Sequence, residues 1–196
     1  MKYLLSMTKK LTKFRNFVIQ IIEKSKFLDD WFYTDHLLEV EKQANWLCDL
    51  YPKADREAVL LSVWLHDIGR IEKGIDDGHE GYAFTRAKEL LPDYGYIQDK
   101  VDLVATACQA HRVDNDLIPG SLEGKILATA DALSHFYHFV YFRVFENYRK
   151  IKTFAESIEI VRKKLDRDYQ NKLFFPEART KVEQLYNSWM QILNNS

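Results

Sequence analysis

Apolar residues that recur every three or four positions dominate the sequence, and this period constrains the fold more than any other feature. Such spacing places apolar side chains along one face of an α-helix, whereas a strand would need alternation at every second position. Strand-like alternation is absent over any useful length. Helix-breaking residues are scarce, with four prolines and seven glycines in 196 residues. The sequence therefore predicts an all-α fold.

Composition and charge narrow the class of protein. Hydrophobic residues make up 46% of the chain and aromatic residues 14%, which supports a sizeable core and excludes a disordered or fibrous chain. The 28 lysines and arginines nearly balance the 29 aspartates and glutamates, so the overall charge does not suggest general nucleic-acid binding. A small or localised anionic ligand stays open. We expect one domain over residues 1–196.

Cysteine content and the N-terminal residues predict a cytoplasmic protein without membrane contact. Cys48 and Cys108 each lie within a helix-like apolar pattern, and two cysteines are too few for a disulfide framework in a chain of this size. We predict that both are reduced thiols in the core. Polar residues and lysines interrupt the apolar residues of segment 1–14 before a signal sequence or a membrane span could form.

Segment 60–70, LLSVWLHDIGR, carries an apolar run that ends in a histidine and an aspartate. We predict a helix that opens at Asp55 and ends with Gly69 as a left-handed C-terminal cap, so that His66 and Asp67 lie in its last turn. Adjacent helical side chains point about 100° apart. These two side chains therefore cannot share the buried stripe, but they can flank a crevice beside it.

Three further histidines and an aspartate lie at helix ends or on inward-facing stripes of other predicted helices. One histidine begins the buried face of a helix that Thr34 or Asp35 would cap, and a second starts a helix that Pro92 ends. A third ends the apolar stripe of the next helix. The aspartate lies in a run of small residues within a helix that Ser121 would cap. In this order they are His36, His79, His111 and Asp131.

These ionisable residues point to a metal site as a set, although each histidine alone is better explained as a hydrogen-bonded core or surface residue. Chance would scatter them over solvated faces, and burying so many without compensation would cost several kcal/mol. A metal ion compensates that cost, and imidazole nitrogen with carboxylate oxygen suits manganese, iron, cobalt, nickel or zinc. The cysteines lack the close pairing of a structural zinc site, so we predict an open catalytic site.

The ordered set resembles the H...HD...D signature of the HD superfamily of metal-dependent phosphohydrolases, over about residues 30–140. Residues 66–69 spell its HDIG variant literally, and His79 and His111 match the two additional histidines of the H...HD...H...H...D subset. The resemblance implies an HD-domain helical bundle with its core at about residues 30–140. Residues from about 141 to 196 would form a C-terminal helical extension, which we predict to contain two amphipathic helices broken near residues 174–176.

The same resemblance implies a ligand set and a reaction. One divalent ion would be held by His36, His66, Asp67 and Asp131. If a second ion is present, Asp67 would bridge the two, and His79 and His111 would complete its shell; otherwise those histidines would bind phosphate or position water. The implied reaction is hydrolysis of a phosphate ester or anhydride of a nucleotide or another small phosphorylated metabolite, by attack of a metal-bound water.

Cations near the motif are candidate phosphate contacts. Arg70 stands where lysine is common in HDIG relatives, and we place it in the catalytic set with Asp67, His79 and His111. For three other cations an ordinary role as solvated surface charge is equally good; these are Lys73, Arg112 and Lys125.

Two histidines and a run of aromatic residues have no place in the signature. We assign His135 and His138 to structural roles, although their position one and two turns beyond Asp131 leaves a peripheral role at the site open. The aromatic run at residues 31–33 is assigned to the core, and it is also the first candidate for contact with the base if the substrate is a nucleotide.

Two rival functions stay open alongside hydrolysis. A di-iron HD-type oxygenase would use the same histidine and carboxylate ligands to cleave a carbon bond with dioxygen. A non-catalytic nucleotide-binding regulatory domain would keep the fold but could dispense with part of the ligand set, whereas every signature position is filled here. Hydrolysis is preferred by analogy with the superfamily. Neither the substrate nor the oligomeric state can be read from the sequence.

Overall fold

Helices form all the regular secondary structure of the described residues, 8–113 and 117–195 of this computed structural model. The α-helices are α1 (Lys9–Lys24), α2 (Leu38–Leu50), α3 (Arg56–Leu65), α4 (Ile68–Lys73), α5 (His79–Leu90), α6 (Gln98–Ala110), α7 (Leu122–Ser134), α8 (Val140–Arg149), α9 (Phe154–Arg167) and α10 (Pro176–Asn194). A π-helical turn at Phe32–Leu37 precedes α2, a 3₁₀ turn at Leu91–Tyr94 follows α5, and a second π-helical turn at Asp168–Lys172 follows α9. The prediction of an all-α fold is confirmed.

Side-chain caps begin two helices where the sequence predicts them. The Asp55 carboxylate accepts a hydrogen bond from the Ala58 amide at 3.1 Å, and the Ser121 hydroxyl accepts one from the Gly124 amide at 3.0 Å. Each bond satisfies one of the amide groups that a first helical turn leaves without an intrahelical partner.

The helix that carries the His-Asp pair ends earlier than predicted. Helix α3 ends at Leu65 and α4 begins at Ile68, so His66 and Asp67 lie in the turn between two helices. The predicted cap at Gly69 is wrong, because that residue lies inside α4. The left-handed cap is Gly74, with φ of 65°. Gly69 instead allows α4 to approach the start of α5 closely.

The predicted cap at Thr34 or Asp35 is also wrong, because the chain is already helical there. The Thr34 hydroxyl donates to the Asp35 carboxylate at 3.0 Å, and Asp35 forms an ion pair with Arg143 at 2.7 Å. Both residues belong to the π-helical turn Phe32–Leu37, in whose last turn His36 is buried. Single π-helical turns of this kind are frequent at functional sites.

Residues after 139 form three α-helices rather than the predicted two. The additional break lies at residues 150–153, where the Thr153 hydroxyl accepts from the Glu156 amide and starts α9 with a reciprocal capping box. Polar and basic residues continue through this break, so the apolar period alone does not reveal it. The predicted break near residues 174–176 is confirmed, since α10 begins at Pro176.

The centre of the core is α3, whose residues 58–65 are all buried. Helices α1, α2, α6 and α7 contact it from different sides. The turn that follows α3 therefore lies deep in the bundle, which holds His66 and Asp67 on a rigid support. Cys48 and Cys108 are buried free thiols, as predicted. In the described part of the chain, no helix is both long and apolar enough to span a membrane.

Replacing Gly69 with alanine is expected to lower the free energy of unfolding by about 1–3 kcal/mol. A Cβ at this position would lie 3.1 Å from both Cα and Cβ of His79, so two helices would have to separate. The matched control is Gly81→Ala in α5, where a new Cβ meets nothing within 4 Å. That change should be neutral or stabilise by up to about 1 kcal/mol. Urea denaturation measures both variants, and an unchanged stability for Gly69→Ala would contradict the close approach.

Candidate metal centre

The six residues predicted as metal ligands lie together in one buried site. They come from the π-helical turn before α2, the turn between α3 and α4, the first residue of α5, the residue after α6, and α7. None is more than 6% exposed. The six are His36, His66, Asp67, His79, His111 and Asp131. Their role as ligands stays a prediction.

Asp67 lies between two groups of histidines. Its Oδ2 atom is 3.4 Å from His36 Nε2 and 3.5 Å from His66 Nε2. Its Oδ1 atom is 3.0 Å from His79 Nε2 and 3.1 Å from Arg70 Nε. The two oxygens of one carboxylate therefore face two different sets of nitrogen atoms.

Asp131 closes the other side of the first group. Its Oδ1 atom is 3.7 Å from His36 Nε2 and 3.9 Å from His66 Nε2. Its Oδ2 atom contacts Lys172 Nζ. Only one oxygen of this carboxylate therefore faces the histidines.

Hydrogen bonds at Nδ1 orient the imidazoles of all four histidines among the six site residues. In His66, His79 and His111, Nδ1 lies 2.8, 2.6 and 2.6 Å from the carbonyl oxygen three residues earlier in the chain. The Ser134 hydroxyl donates to the Asp131 carbonyl at 2.7 Å, so it accepts from His36 Nδ1 at 3.0 Å. A carbonyl oxygen can only accept, so each Nδ1 carries a proton, and Nε2 is the ring nitrogen that faces the site.

The Nε2 atoms converge on one another inside the site. His79 Nε2 and His111 Nε2 are 3.2 Å apart. His66 Nε2 is buried and has no hydrogen-bond partner among the described residues. Metal-binding histidines have this arrangement, with one ring nitrogen held by a protein acceptor and the other free for the ion.

Among the residues that the structure describes, three overlapping groups of donor atoms are compact enough to hold a metal ion, each with all atoms within 4.8 Å of one another. They are His36 with His66 and Asp67, Asp67 with His79 and His111, and His36 with Asp131 and His135. All use imidazole nitrogen and carboxylate oxygen, the donors that suit divalent transition metals. The residues present therefore fit a divalent ion.

Electrostatics keep these residues in the form that binds metal. Burial lowers the pKa of His66, and it lowers the pKa of His111 well below its ordinary value. Burial alone would raise the pKa of Asp67, but the Arg70 guanidinium and the neighbouring histidines hold it well below the usual range. Neutral imidazoles and ionised carboxylates are the protonation states that coordinate metal. His79 differs, because contact with Asp67 raises its pKa despite burial.

The structure places His135 beside the site, where the sequence assigns it a structural role and leaves a peripheral one open. His135 Nε2 is 3.5 Å from Asp131 Oδ1, and its ring stacks on that of His36 with 5.4 Å between centroids. His135 Nδ1 is 2.9 Å from the Asp168 carboxylate. The available signal was the spacing of four from Asp131, which puts both side chains on one face of α7. His138 points elsewhere, to Glu39 at 3.3 Å.

The site opens into a cavity of about 650 Å³. In the described part of the chain, the cations that line it are Arg70, Arg112, Lys163, Lys164, Arg167 and Lys172. Two of the other predicted phosphate contacts, Lys73 and Lys125, are not among the lining residues. Trp31 and Phe32 also line the cavity, so the aromatic run assigned to the core contributes to its wall.

Without metal, the protein is expected to lose stability as the pH falls from about 6.5 to about 4. Burial, aided by the Lys164 ammonium, lowers the pKa of His135 from 6.5 to about 4. In that window the unfolded chain binds more protons than the native protein, so the free energy of unfolding rises with pH. The loss at pH 4 from this residue is roughly 3 kcal/mol.

Urea titrations between pH 7 and pH 4 in the presence of a chelator measure this loss. The variant His135→Gln should show a shallower pH dependence, because it lacks the titrating group. If the free energy of unfolding of His135→Gln fell as steeply with decreasing pH as that of the wild type, the assignment to His135 would be contradicted.

Two curated relatives match part of the chain. Ribonuclease Y of Borreliella burgdorferi and ribonuclease Y of Borreliella afzelii are each 38% identical over 82 residues. Each alignment covers 42% of this chain and 15% of the relative. The chain therefore matches only a small part of these proteins.

Solved structures match over nearly the whole length. A predicted HD superfamily hydrolase from an uncultured Thermotogales bacterium is 24% identical with a TM-score of 0.64, covering 99% of this chain and 95% of its own. An HD-superfamily hydrolase from Bacillus thuringiensis is 19% identical with a TM-score of 0.65, covering 95% and 94%. A Lactobacillus plantarum protein is 16% identical with a TM-score of 0.72, covering 96% of both chains. At these identities the likeness shows a shared fold.

A family model identifies the part of the chain that builds the site. The HD domain model matches residues 33–135, which is more than half of the chain. This range contains all six residues that converge on the buried site, from His36 to Asp131. The chain therefore belongs to the HD domain family.

Proposed function

We propose that this protein is a metal-dependent phosphohydrolase acting on a phosphate ester or anhydride of a small phosphorylated metabolite. The observation that carries the proposal is the set of imidazole Nε2 atoms that converge on two buried carboxylates. Such a cluster is unfavourable without a cation. Membership of the HD domain family and the cation-lined cavity beside the cluster support the same function.

We infer that two ions bind, rather than the single ion expected from the sequence. Two of the three donor groups share Asp67, whose Oδ2 atom faces His36 and His66 while Oδ1 faces His79. A carboxylate that divides its oxygens in this way can bridge two ions. His79 and His111 would then be ligands of the second ion rather than phosphate contacts.

The chain's own residues would hold and orient the substrate. When bound, a divalent ion supplies water activation near neutral pH and neutralises charge on a phosphoryl oxygen. The Arg70 guanidinium lies 3.1 Å from Asp67 and 2.8 Å from Asp76, and its side chain also lines the cavity. It can therefore hold Asp67 in place and donate hydrogen bonds to a phosphate.

The cavity favours a substrate of nucleotide size. A volume of about 650 Å³ lies within the range of small-molecule sites. Trp31 and Phe32 give one wall an aromatic surface, which suits the apolar faces of a nucleobase. The phosphate would then lie at the end of the cavity where Asp67 and Asp131 would hold the metal ions.

A phosphodiester bond of RNA is the second candidate substrate, because 82 residues of the chain are similar to ribonuclease Y. A net charge of −1 argues against extended electrostatic contact with a long nucleic acid. The di-iron oxygenase stays a rival, since the same donors serve iron and dioxygen.

Elemental analysis of protein purified without added metal or chelator is the first test. We expect about two divalent ions per chain. Hydrolysis is then assayed on nucleoside mono- and triphosphates, a cyclic dinucleotide and a short RNA, with dioxygen consumption followed in parallel. Turnover of a small phosphorylated substrate that a chelator abolishes would support the proposal. Iron with dioxygen consumption would favour the oxygenase, cleavage of RNA alone the nuclease, and no metal even after reconstitution would overturn metal-dependent hydrolysis.

A further inference from the structure

Lys172 is a buried lysine beside the metal centre that neither the signature nor the HD domain match includes. Its side chain is 2% exposed, and its Nζ atom contacts Asp131 Oδ2. Burying an ammonium group costs several kcal/mol unless it is paired with an anion and hydrogen-bonded. Such a residue is retained at a cost, so its contact with a predicted metal ligand calls for a functional explanation.

The backbone around Lys172 is fastened to the helix that carries Asp131. The Thr129 hydroxyl donates to the Lys172 carbonyl at 2.9 Å, and it accepts from the Phe174 amide at 3.2 Å. Thr129 lies two residues before Asp131 in α7. The π-helical turn Asp168–Lys172 is therefore held directly against the metal centre, and Lys172 has a defined position there.

The contact with Lys172 divides the roles of the two Asp131 oxygens. Oδ2 is occupied by the ammonium group, whereas Oδ1 lies 3.5–3.9 Å from the Nε2 atoms of three histidines. An ammonium group in contact with a carboxylate oxygen repels a metal cation from that oxygen and occupies its accepting lone pair. Asp131 can therefore offer only its Oδ1 atom to an ion.

We propose that Lys172 is a positioning residue that restricts Asp131 to a single-oxygen contact with the metal ion and thereby keeps a coordination position free for substrate. This inference rests on the proposed metal-dependent function. Partners of metal ligands commonly change activity or metal affinity about 10- to 100-fold when removed. The role differs from direct binding of the substrate phosphate, which would also suit a lysine that lines the cavity.

The test compares Co²⁺-loaded wild type with Lys172→Met, which keeps an unbranched side chain one atom shorter and removes the charge. Without the ammonium group, both Asp131 oxygens can bind the ion and its coordination number rises. We expect Lys172→Met to bind as much Co²⁺ as the wild type, with weaker visible absorption per ion. In hydrolysis, kcat should fall about 10- to 100-fold while KM changes far less.

Lys100→Met is the matched control. Lys100 is a paired lysine outside the cavity, with Nζ 3.0 Å from Asp55 and 2.9 Å from Glu57. Its removal should leave the Co²⁺ spectrum and kcat unchanged. Lys172→Arg retains a cation and is expected to recover part of the wild-type absorption.

A second variant keeps the inference testable if Lys172→Met does not fold. Thr129→Val removes the hydroxyl that holds the Lys172 carbonyl, and it should shift the spectrum partway in the same direction. An unchanged spectrum in folded, Co²⁺-loaded Lys172→Met, or in Thr129→Val where only that variant folds, would overturn the positioning role. A raised KM with unchanged kcat would overturn it in favour of substrate binding. Failure of the wild type to bind Co²⁺ would instead overturn the proposed function itself.

Discussion

Replacing Asp67 with alanine is expected to remove bound metal and to lower kcat/KM by at least about a thousandfold, or roughly 4 kcal/mol of transition-state stabilisation. The reason is that both oxygens of this carboxylate face histidine nitrogens, so its loss damages both of the donor groups that contain it. It also leaves Arg70 without its partner at 3.1 Å. Elemental analysis and substrate hydrolysis measure the effect, and circular dichroism checks the fold.

Asp102→Ala is the control for this change. Asp102 is a half-exposed carboxylate on α6 that pairs with Lys88 at 3.1 Å, and it does not line the cavity. Its removal subtracts the same charge but should leave metal content and turnover as in the wild type. If Asp67→Ala kept its metal and its activity, the proposed role of Asp67 in metal binding and catalysis would be contradicted.

Replacing His111 with alanine is expected to remove one of two bound ions and to lower kcat by about 10- to 100-fold. His111 belongs to the donor group with Asp67 and His79, whereas His36 and His66 belong to the other. The ion held by His36, His66 and Asp67 should therefore persist. Metal content per chain, measured together with steady-state kinetics, gives the result.

His138→Ala is the matched histidine control, because His138 contacts Glu39 and belongs to none of the donor groups among the described residues. It should keep the full metal content. Unchanged metal content in His111→Ala would contradict two-ion binding and return His79 and His111 to phosphate binding or water positioning. Loss of all metal would show that the two donor groups do not bind independently.

Local interactions explain which parts of the fold can be predicted from the sequence. The starts of α3 and α7 are predictable because Asp55 and Ser121 each bond an amide three residues away. The convergence of the six site residues was anticipated because they end or interrupt apolar stripes, and residues on such stripes face the core. The literal HDIG at residues 66–69 is a further resemblance to the family that the sequence alone carries.

Helix boundaries at the site could not be predicted, because distant contacts decide them. The sequence predicts a cap at Gly69, whereas the left-handed cap is Gly74, and Gly69 lies inside α4 where a Cβ would be 3.1 Å from His79. His36 likewise lies in a π-helical turn whose hydrogen-bond pattern leaves no mark in the apolar period.

The sequence by itself determined the all-α class, the family and the six residues that meet in the buried site, because those properties depend on apolar periodicity and on an ordered local signature. Only the tertiary structure decided which residues support that site. Lys172 meets Asp131 across 41 positions of sequence, and Asp168 meets His135 across 33. These pairs form because the turn after α9 packs against α7. An ion pair between residues so far apart in the chain leaves no periodic pattern in the sequence, so the sequence alone does not reveal it.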